Sequence, residues 1–204
     1  MIESYENAIQ IAVLLVCLGI ALIRAISQRE RSWTLLFFFY GSWALGDLYW
    51  LLCLIFINRS PQFSVVSDLS WDASYIFLYL LICQIAPPEN YGKQLLPWLG
   101  PLFTAGMALY YMQWGNVISN LICAALLGLL LFAAITRLLD RKTYGRQRFF
   151  CVMVIIFCLL EHGLWTSSCI SEWDGLRNPY YWFDFLLTLS FPCFLPAMKK
   201  AVAS

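Results

Sequence analysis

Apolar residues run through this chain in long unbroken stretches, separated by short polar segments in which most of the basic residues collect. A helix that crosses a bilayer needs roughly 20 mostly apolar residues. Seven stretches qualify, at 5–27, 33–57, 66–86, 96–113, 116–137, 148–168 and 179–197. They are continuous runs, without the ten-residue alternation of a membrane β-barrel. The fourth is short and carries Pro97 and Pro101; a proline suits a first helical turn. Gln113-Trp114-Gly115-Asn116 then reads as a tight connection to the fifth. The pattern predicts an all-α fold: a polytopic integral membrane bundle of seven transmembrane helices, forming one domain over residues 1–204.

Basic residues orient the bundle, because they concentrate on the cytoplasmic side. With the N-terminus outside, the inner side receives Arg24, Arg29, Arg31, Lys93, Arg137, Arg141, Lys142, Arg146, Arg148, Lys199 and Lys200, and the outer side Arg59 and Arg177. Eleven of the thirteen bases therefore fall inside, which predicts an N-out, C-in topology. The opening Met-Ile-Glu-Ser-Tyr-Glu-Asn has no basic start of a secretory signal, so the first helix is expected to be retained. The bases of the fifth-to-sixth loop, Arg137 to Arg148, are expected to set topology and touch anionic lipid.

Composition sharpens this picture. The chain has 204 residues, 61% hydrophobic and only 12% charged, with a mean hydropathy of +0.71. A soluble domain is roughly a quarter charged, and a chain this short cannot hide so much apolar surface in one water-exposed globule. A soluble enzyme, a nucleic-acid binder and a disordered tail are excluded, and a net charge of +1 gives no reason to seek a polyanion. The eight cysteines lie within or at the ends of spans with no CxxC pair, so they read as small apolar packing residues. Gly41, Gly46, Gly106, Gly128 and Gly163 are expected points of close helix packing.

Ionisable groups inside a membrane are costly and mark function. Asp47, Asp72, Glu161 and Asp184 fall within the second, third, sixth and seventh spans, with Asp68 at the start of the third. Helical spacing supplies their companions. Tyr40, Trp43, Asp47 and Trp50 share a face, as do Asp68, Asp72, Tyr75 and Tyr79, with Trp71 alongside. Cys158, Glu161 and Trp165 form a stripe with His162 at its edge, and Tyr181, Asp184 and Thr188 form another. Glu3, Glu6, Asn7 and Gln10 begin the first helix. The expectation is an outward-facing acidic and aromatic cavity, lined by Asp47, Trp50, Asp68, Trp71, Asp72, Tyr75, Glu161, His162, Trp165 and Asp184. Carboxylates beside indole and phenol faces hold an organic ammonium through charge and cation–π attraction. The same acids can also serve simply to hydrogen-bond Tyr, Trp and Ser across helices.

Other chemistries lose their residues. A retinal Schiff base needs a lysine in the last span, and none precedes Lys199. A single histidine excludes a bis-histidine haem and disfavours multi-histidine zinc hydrolysis. No phosphate-binding loop and no GxSxG turn is present. No metal or cofactor is expected.

Leu45-Gly46-Asp47-Leu48-Tyr49, then Ser67-Asp68-Leu69-Ser70-Trp71 with Tyr75, then Ala86-Pro87, resembles the multi-span input modules of bacterial diguanylate cyclases and histidine kinases. That resemblance covers about a quarter of the chain. It implies a bacterial cell-membrane sensor of a small ligand, coupled to a separate cytoplasmic output protein. Gly46-Asp47 is also similar to the Gly-Asp pair of lysoplasmalogenase-type membrane hydrolases, which implies lipid hydrolysis by Asp47 with Asp72 or Asp184, assisted by His162. A cation or proton-coupled carrier is a third reading, although the spans show no inverted repeat.

Overall fold

The computed structural model describes residues 2–59, 61, 65–86, 95–114, 116–140, 143, 145–169 and 177–202. Lys93, Pro87, Arg141 and Lys142 lie outside them. Seven α-helices account for nearly all the described residues, with no strand among them: α1 (Ile2–Gln28), α2 (Arg31–Phe56), α3 (Val65–Ile85), α4 (Leu99–Tyr111), α5 (Val117–Leu139), α6 (Gly145–Ser168) and α7 (Pro179–Val202). All except α4 are long and apolar enough to cross a membrane. In place of a full-length fourth span, a 3-10 turn at Leu96–Trp98 leads into the 13 residues of α4.

Two compact units make up the chain, Met1–Leu78 and Tyr79–Ser204, and the division falls within α3. In the first, Arg29 takes a left-handed conformation (φ 52°) and its N–H donates to the Ala25 carbonyl at 3.0 Å, so α1 ends abruptly and α2 starts two residues later. A left-handed residue after the last turn is a common way for a helix to stop. The resulting hairpin sets the start of α1 beside the end of α2. Along α1 the buried positions Asn7, Gln10, Leu14, Cys17 and Ala21 form a stripe of alternating three- and four-residue steps, with Ile11 beside it. Its members change from polar to apolar along the helix, and this gradient recurs below.

In the second unit, α5 starts at Asn116, whose side-chain oxygen accepts the Ile118 N–H at 2.9 Å, an ordinary N-cap. Asn120, one turn on, donates its amide to the carbonyls of Tyr111 (2.9 Å) and Trp114 (3.0 Å), pinning the end of α4 against the start of α5. The two helices approach closely where Gly100 faces Leu131 and Gly128 faces Thr104; a Cβ on either glycine would lie 2.7 Å from its neighbour. Gly163 meets the Phe183 ring in the same way between α6 and α7. Gly106 was expected to be a packing point and is not: no atom lies within 4 Å of a Cβ built there.

The last turn of α3 is held from two other helices. Arg137, near the end of α5, is 1% exposed. Its guanidinium donates Nε to the Ala86 carbonyl, Nη1 to Ala133 (2.9 Å) and Nη2 to the Cys83 sulfur (3.3 Å). Gln147 of α6 donates to the Ile85 carbonyl at 2.9 Å. Helix ends leave carbonyls without intrahelical donors, and a cation there also meets the negative end of the helix dipole. The expectation that Arg137 touches lipid is thus corrected: it is an internal cap.

Candidate functional site

Most buried polar side chains in the first unit lie toward one end, Ser32 at the start of α2 standing apart from them. Asn7, Gln10, Asp47, Ser67, Ser70 and Ser74 are all under 9% exposed, whereas Leu14, Ala21, Leu36, Phe39 and Leu78 fill the rest of the interior at 0%. The polar end is the one at which α1 begins, α2 ends and α3 begins.

Four of the residues expected in the site meet there. Trp71 of α3 donates its indole N–H to Asp47 Oδ1 of α2 at 3.0 Å, and Asp47 is 2% exposed. Trp50 of α2 donates its indole N–H to Glu3 Oε1 of α1 at 3.0 Å. The two half-buried indoles lie 5.9 Å apart with planes tilted by 37°. Tyr75 packs edge-on against Trp43 at 5.7 Å, closing the floor of the group. Three helices are therefore joined by two indole-to-carboxylate bonds through adjacent rings. A hydrogen bond with one charged partner is about twice as strong as a neutral one.

Gly46 explains the local sequence. A Cβ at this position would stand 2.7 Å from Trp71 Nε1 and 3.0 Å from its Cδ1. The missing side chain is the slot through which the indole reaches the next residue's carboxylate. Gly46, Asp47 and Trp71 form one device, in which the glycine makes room, the tryptophan donates and the aspartate accepts.

Asp68 and Asp72 stand one turn apart on α3, both partly exposed, and Asp68 acts repulsively on the Asp72 carboxyl. Among the described residues no base or hydrogen-bond donor contacts Asp72. A half-buried carboxylate facing a like charge gains from any cation that comes near.

Glu161, His162, Trp165 and Asp184 belong to the second unit, where Glu161, His162 and Asp184 are 2%, 4% and 5% exposed. Neither ring nitrogen of His162 has a hydrogen-bond partner. The imidazole instead lies edge-on to Phe103 at 5.0 Å and near-parallel to Tyr111 at 6.4 Å. The Tyr111 hydroxyl donates to the His162 backbone carbonyl at 3.0 Å and sits 2.8 Å from the Thr166 hydroxyl. Trp165 packs against the same tyrosine at 6.4 Å.

No family model, no curated protein and no solved structure matches this chain. Its side chains therefore carry the functional reading. Among the described residues no group of three or more His, Cys, Asp or Glu could hold a metal ion. All eight cysteines are free thiols. Cys169, just beyond α6, has a raised pKa because partial burial disfavours its thiolate, and the Ser168 hydroxyl opposes part of that rise.

Sequence spacing identified Asp47, Trp50 and Trp71 but paired none of them. Glu3 was noted only as part of a polar helix start, although the short α1–α2 turn brings that start beside Trp50. Nothing in the sequence marks Arg137 as buried, because a base at the end of an apolar run ordinarily stays at the surface.

Proposed function

We propose that this protein is the membrane-embedded sensing module of a bacterial signalling system, and that it binds a small organic cation at the acid–tryptophan group of its first unit. The observation that carries the reading is the pair of adjacent indoles, each with its N–H on a carboxylate of another helix. An anionic acceptor on the N–H pushes electron density toward the ring, which strengthens the attraction of its face for a cation. Asp68 and Asp72 add negative charge on the same helix as Trp71. The resemblance of the Gly46-Asp47 and Asp68-Leu69-Ser70-Trp71 segments to bacterial input modules supports the sensory role. The distribution of bases supports an outward-facing site, with an output protein meeting the opposite, base-rich end. Neither lipid hydrolysis nor transport has an observation of comparable weight: Asp47 accepts an indole N–H, and the His162 imidazole lies against Phe103 and Tyr111 with no hydrogen-bond partner on either nitrogen.

The test is equilibrium binding of a panel of small ammonium compounds to the full chain in lipid nanodiscs. Saturable binding without turnover is expected, with a loss of about tenfold or more in Asp72→Asn at unchanged helical content. Binding that is indifferent to Asp72→Asn and Asp47→Asn refutes the reading, and product release from the ligand points to catalysis.

A further inference from the structure

We propose that the second unit binds one anionic phospholipid, with the lipid phosphate where α6 begins and α7 ends and an acyl chain along α6. This site is independent of the cation reading above. Two ring contacts fix the juxtaposition of the helix ends. Phe150 of α6 lies edge-on to Phe194 of α7 at 5.7 Å, and Lys200 Nζ of α7 stands 5.0 Å from the centre of the Phe149 ring. Arg148, Lys199 and Lys200 are thereby gathered at one end of a packed helix pair.

Charge at this end is unbalanced. Lys199 and Lys200 are exposed and Arg148 is half-buried, and among the described residues none of the three takes part in an ion pair. Arg148 Nη2 donates to the Asp140 carbonyl at 3.2 Å, which ties its guanidinium to the end of α5. Asp140 is the only described acid at this end of the unit. Glu161 and Asp184 lie about 20 Å away along the axes of α6 and α7.

The first turn of α6 holds Arg146 and Arg148 and no acid. Bases are unfavourable there, because a helix start is already the positive end of the dipole and its first N–H groups lack intrahelical acceptors. A phosphate answers both the charge and the donors. Arginine offers it a fork of N–H groups, and the two lysines add mobile point charges.

The neighbouring surface selects a lipid over a free anion. Both helices are long and apolar enough to cross a bilayer, so bases at their ends stand at headgroup depth. From Phe149, the exposed residues Val152, Ile156 and Leu159 follow at steps of three, four and three. They form one apolar stripe that leads from the bases into the span. A phosphodiester meets the bases while its acyl chain lies on the stripe.

The experiment is native mass spectrometry of the full chain released from mixed micelles holding phosphatidylglycerol and phosphatidylcholine in equal amounts. The first bound lipid is expected to be phosphatidylglycerol by at least about fivefold, the effect of a single base near a membrane surface. Joint replacement Arg148→Gln, Lys199→Gln and Lys200→Gln should bring the ratio toward one. The control Arg24→Gln, Arg29→Gln and Arg31→Gln removes three exposed bases from the first unit, where Glu30 stands among them, and should keep most of the preference. Excess inorganic phosphate should not displace the lipid when compared with chloride at matched ionic strength. A native ratio near one leaves these bases to an acidic partner protein and overturns the proposal. Equal losses in the two triple variants assign the preference to total charge and also overturn it, as does displacement by phosphate. If the Arg148 variant loses helical content, the exposed pair Lys199→Gln and Lys200→Gln decides by the same ratio.

Discussion

Replacing Gly46 with alanine adds one methyl group at the tightest point of the first unit. Its Cβ would lie 2.7 Å from Trp71 Nε1, 3.0 Å from Cδ1 and 3.2 Å from Cε2. All three atoms belong to the rigid indole, so the ring cannot yield by rotating a flexible end. It has to move as a body, and the 3.0 Å bond to Asp47 Oδ1 stretches or breaks. Losing a hydrogen bond to a charged group costs about 1.5–3 kcal/mol. Overpacking adds about 1–3 kcal/mol, while alanine returns up to about 1 kcal/mol of helix propensity. The expected net loss is about 1.5–6 kcal/mol, read as a shift in reversible unfolding of the purified chain in mixed micelles. The decisive control is the same substitution in a Trp71→Ala background. With the indole gone the three atoms nearest the added methyl are gone too, so Gly46→Ala should become neutral or mildly stabilising. Coupling of this kind is what a double-mutant cycle isolates. A Gly46→Ala chain within about 0.5 kcal/mol of native, or an equal cost in both backgrounds, refutes the idea that this glycine exists to admit the indole.

Three further outcomes follow from the second unit and its edge. Arg137→Met should lower stability by about 2–4 kcal/mol in the same unfolding assay, because the Ala86 and Ala133 carbonyls lose charged donors. Arg137→Lys should lose nearly as much, since one ammonium cannot reproduce the three-directional fork; a lysine variant of native stability would count against the capping role. Asn120→Ala should cost about 1–3 kcal/mol and speed amide exchange where α4 joins α5, because two carbonyls lose one shared donor. In a chain retaining only Cys169, iodoacetamide labelling should be slow at neutral pH and climb to a midpoint above that of an ordinary exposed thiol. The sign follows from the raised pKa, which leaves less thiolate at a given pH. Ser168→Ala removes the opposing hydrogen bond and should move the midpoint higher still; a downward move would contradict it.

Helix positions were legible from the chain because an apolar run of bilayer length has few alternatives to a helix. The stretch at 66–86 is Val65–Ile85 in the structure, and that at 116–137 is Val117–Leu139. The faces were legible too: Tyr40, Trp43 and Asp47, spaced by three and four, are all buried. Partners were not legible, since spacing gives a residue's face but not the register of the helix opposite. Trp71 and Asp47 stood in the same list without any sign that one donates to the other. Of the expected glycines, Gly41, Gly46, Gly128 and Gly163 do meet a neighbour closely, and Gly106 does not, for the same reason. Gly106 and Gly100 lie six residues apart on one helix, and only the second faces a neighbour at close range. For α7, the apolar run is bounded at 197, whereas the helix, with Pro192 and Pro196 inside it, continues to Val202. Near the helix end Lys200 lies over the Phe149 ring at 5.0 Å, which gives that last stretch a packing contact.

The shortness of α4 bears on the surrounding lipid. At about 1.5 Å per residue, its 13 residues reach only about 20 Å, against a hydrocarbon layer of about 30 Å. The other helices run from 21 to 27 residues. A bilayer around this protein therefore meets unequal walls. Exposed Trp98 precedes α4 and exposed Trp114 follows it, and such side chains prefer headgroup depth. A bilayer crossed by α4 would relieve the mismatch by drawing headgroups inward, at a fraction of a kcal/mol per Å. With α4 as its fourth span, the protein would be favoured in bilayers that are already thin.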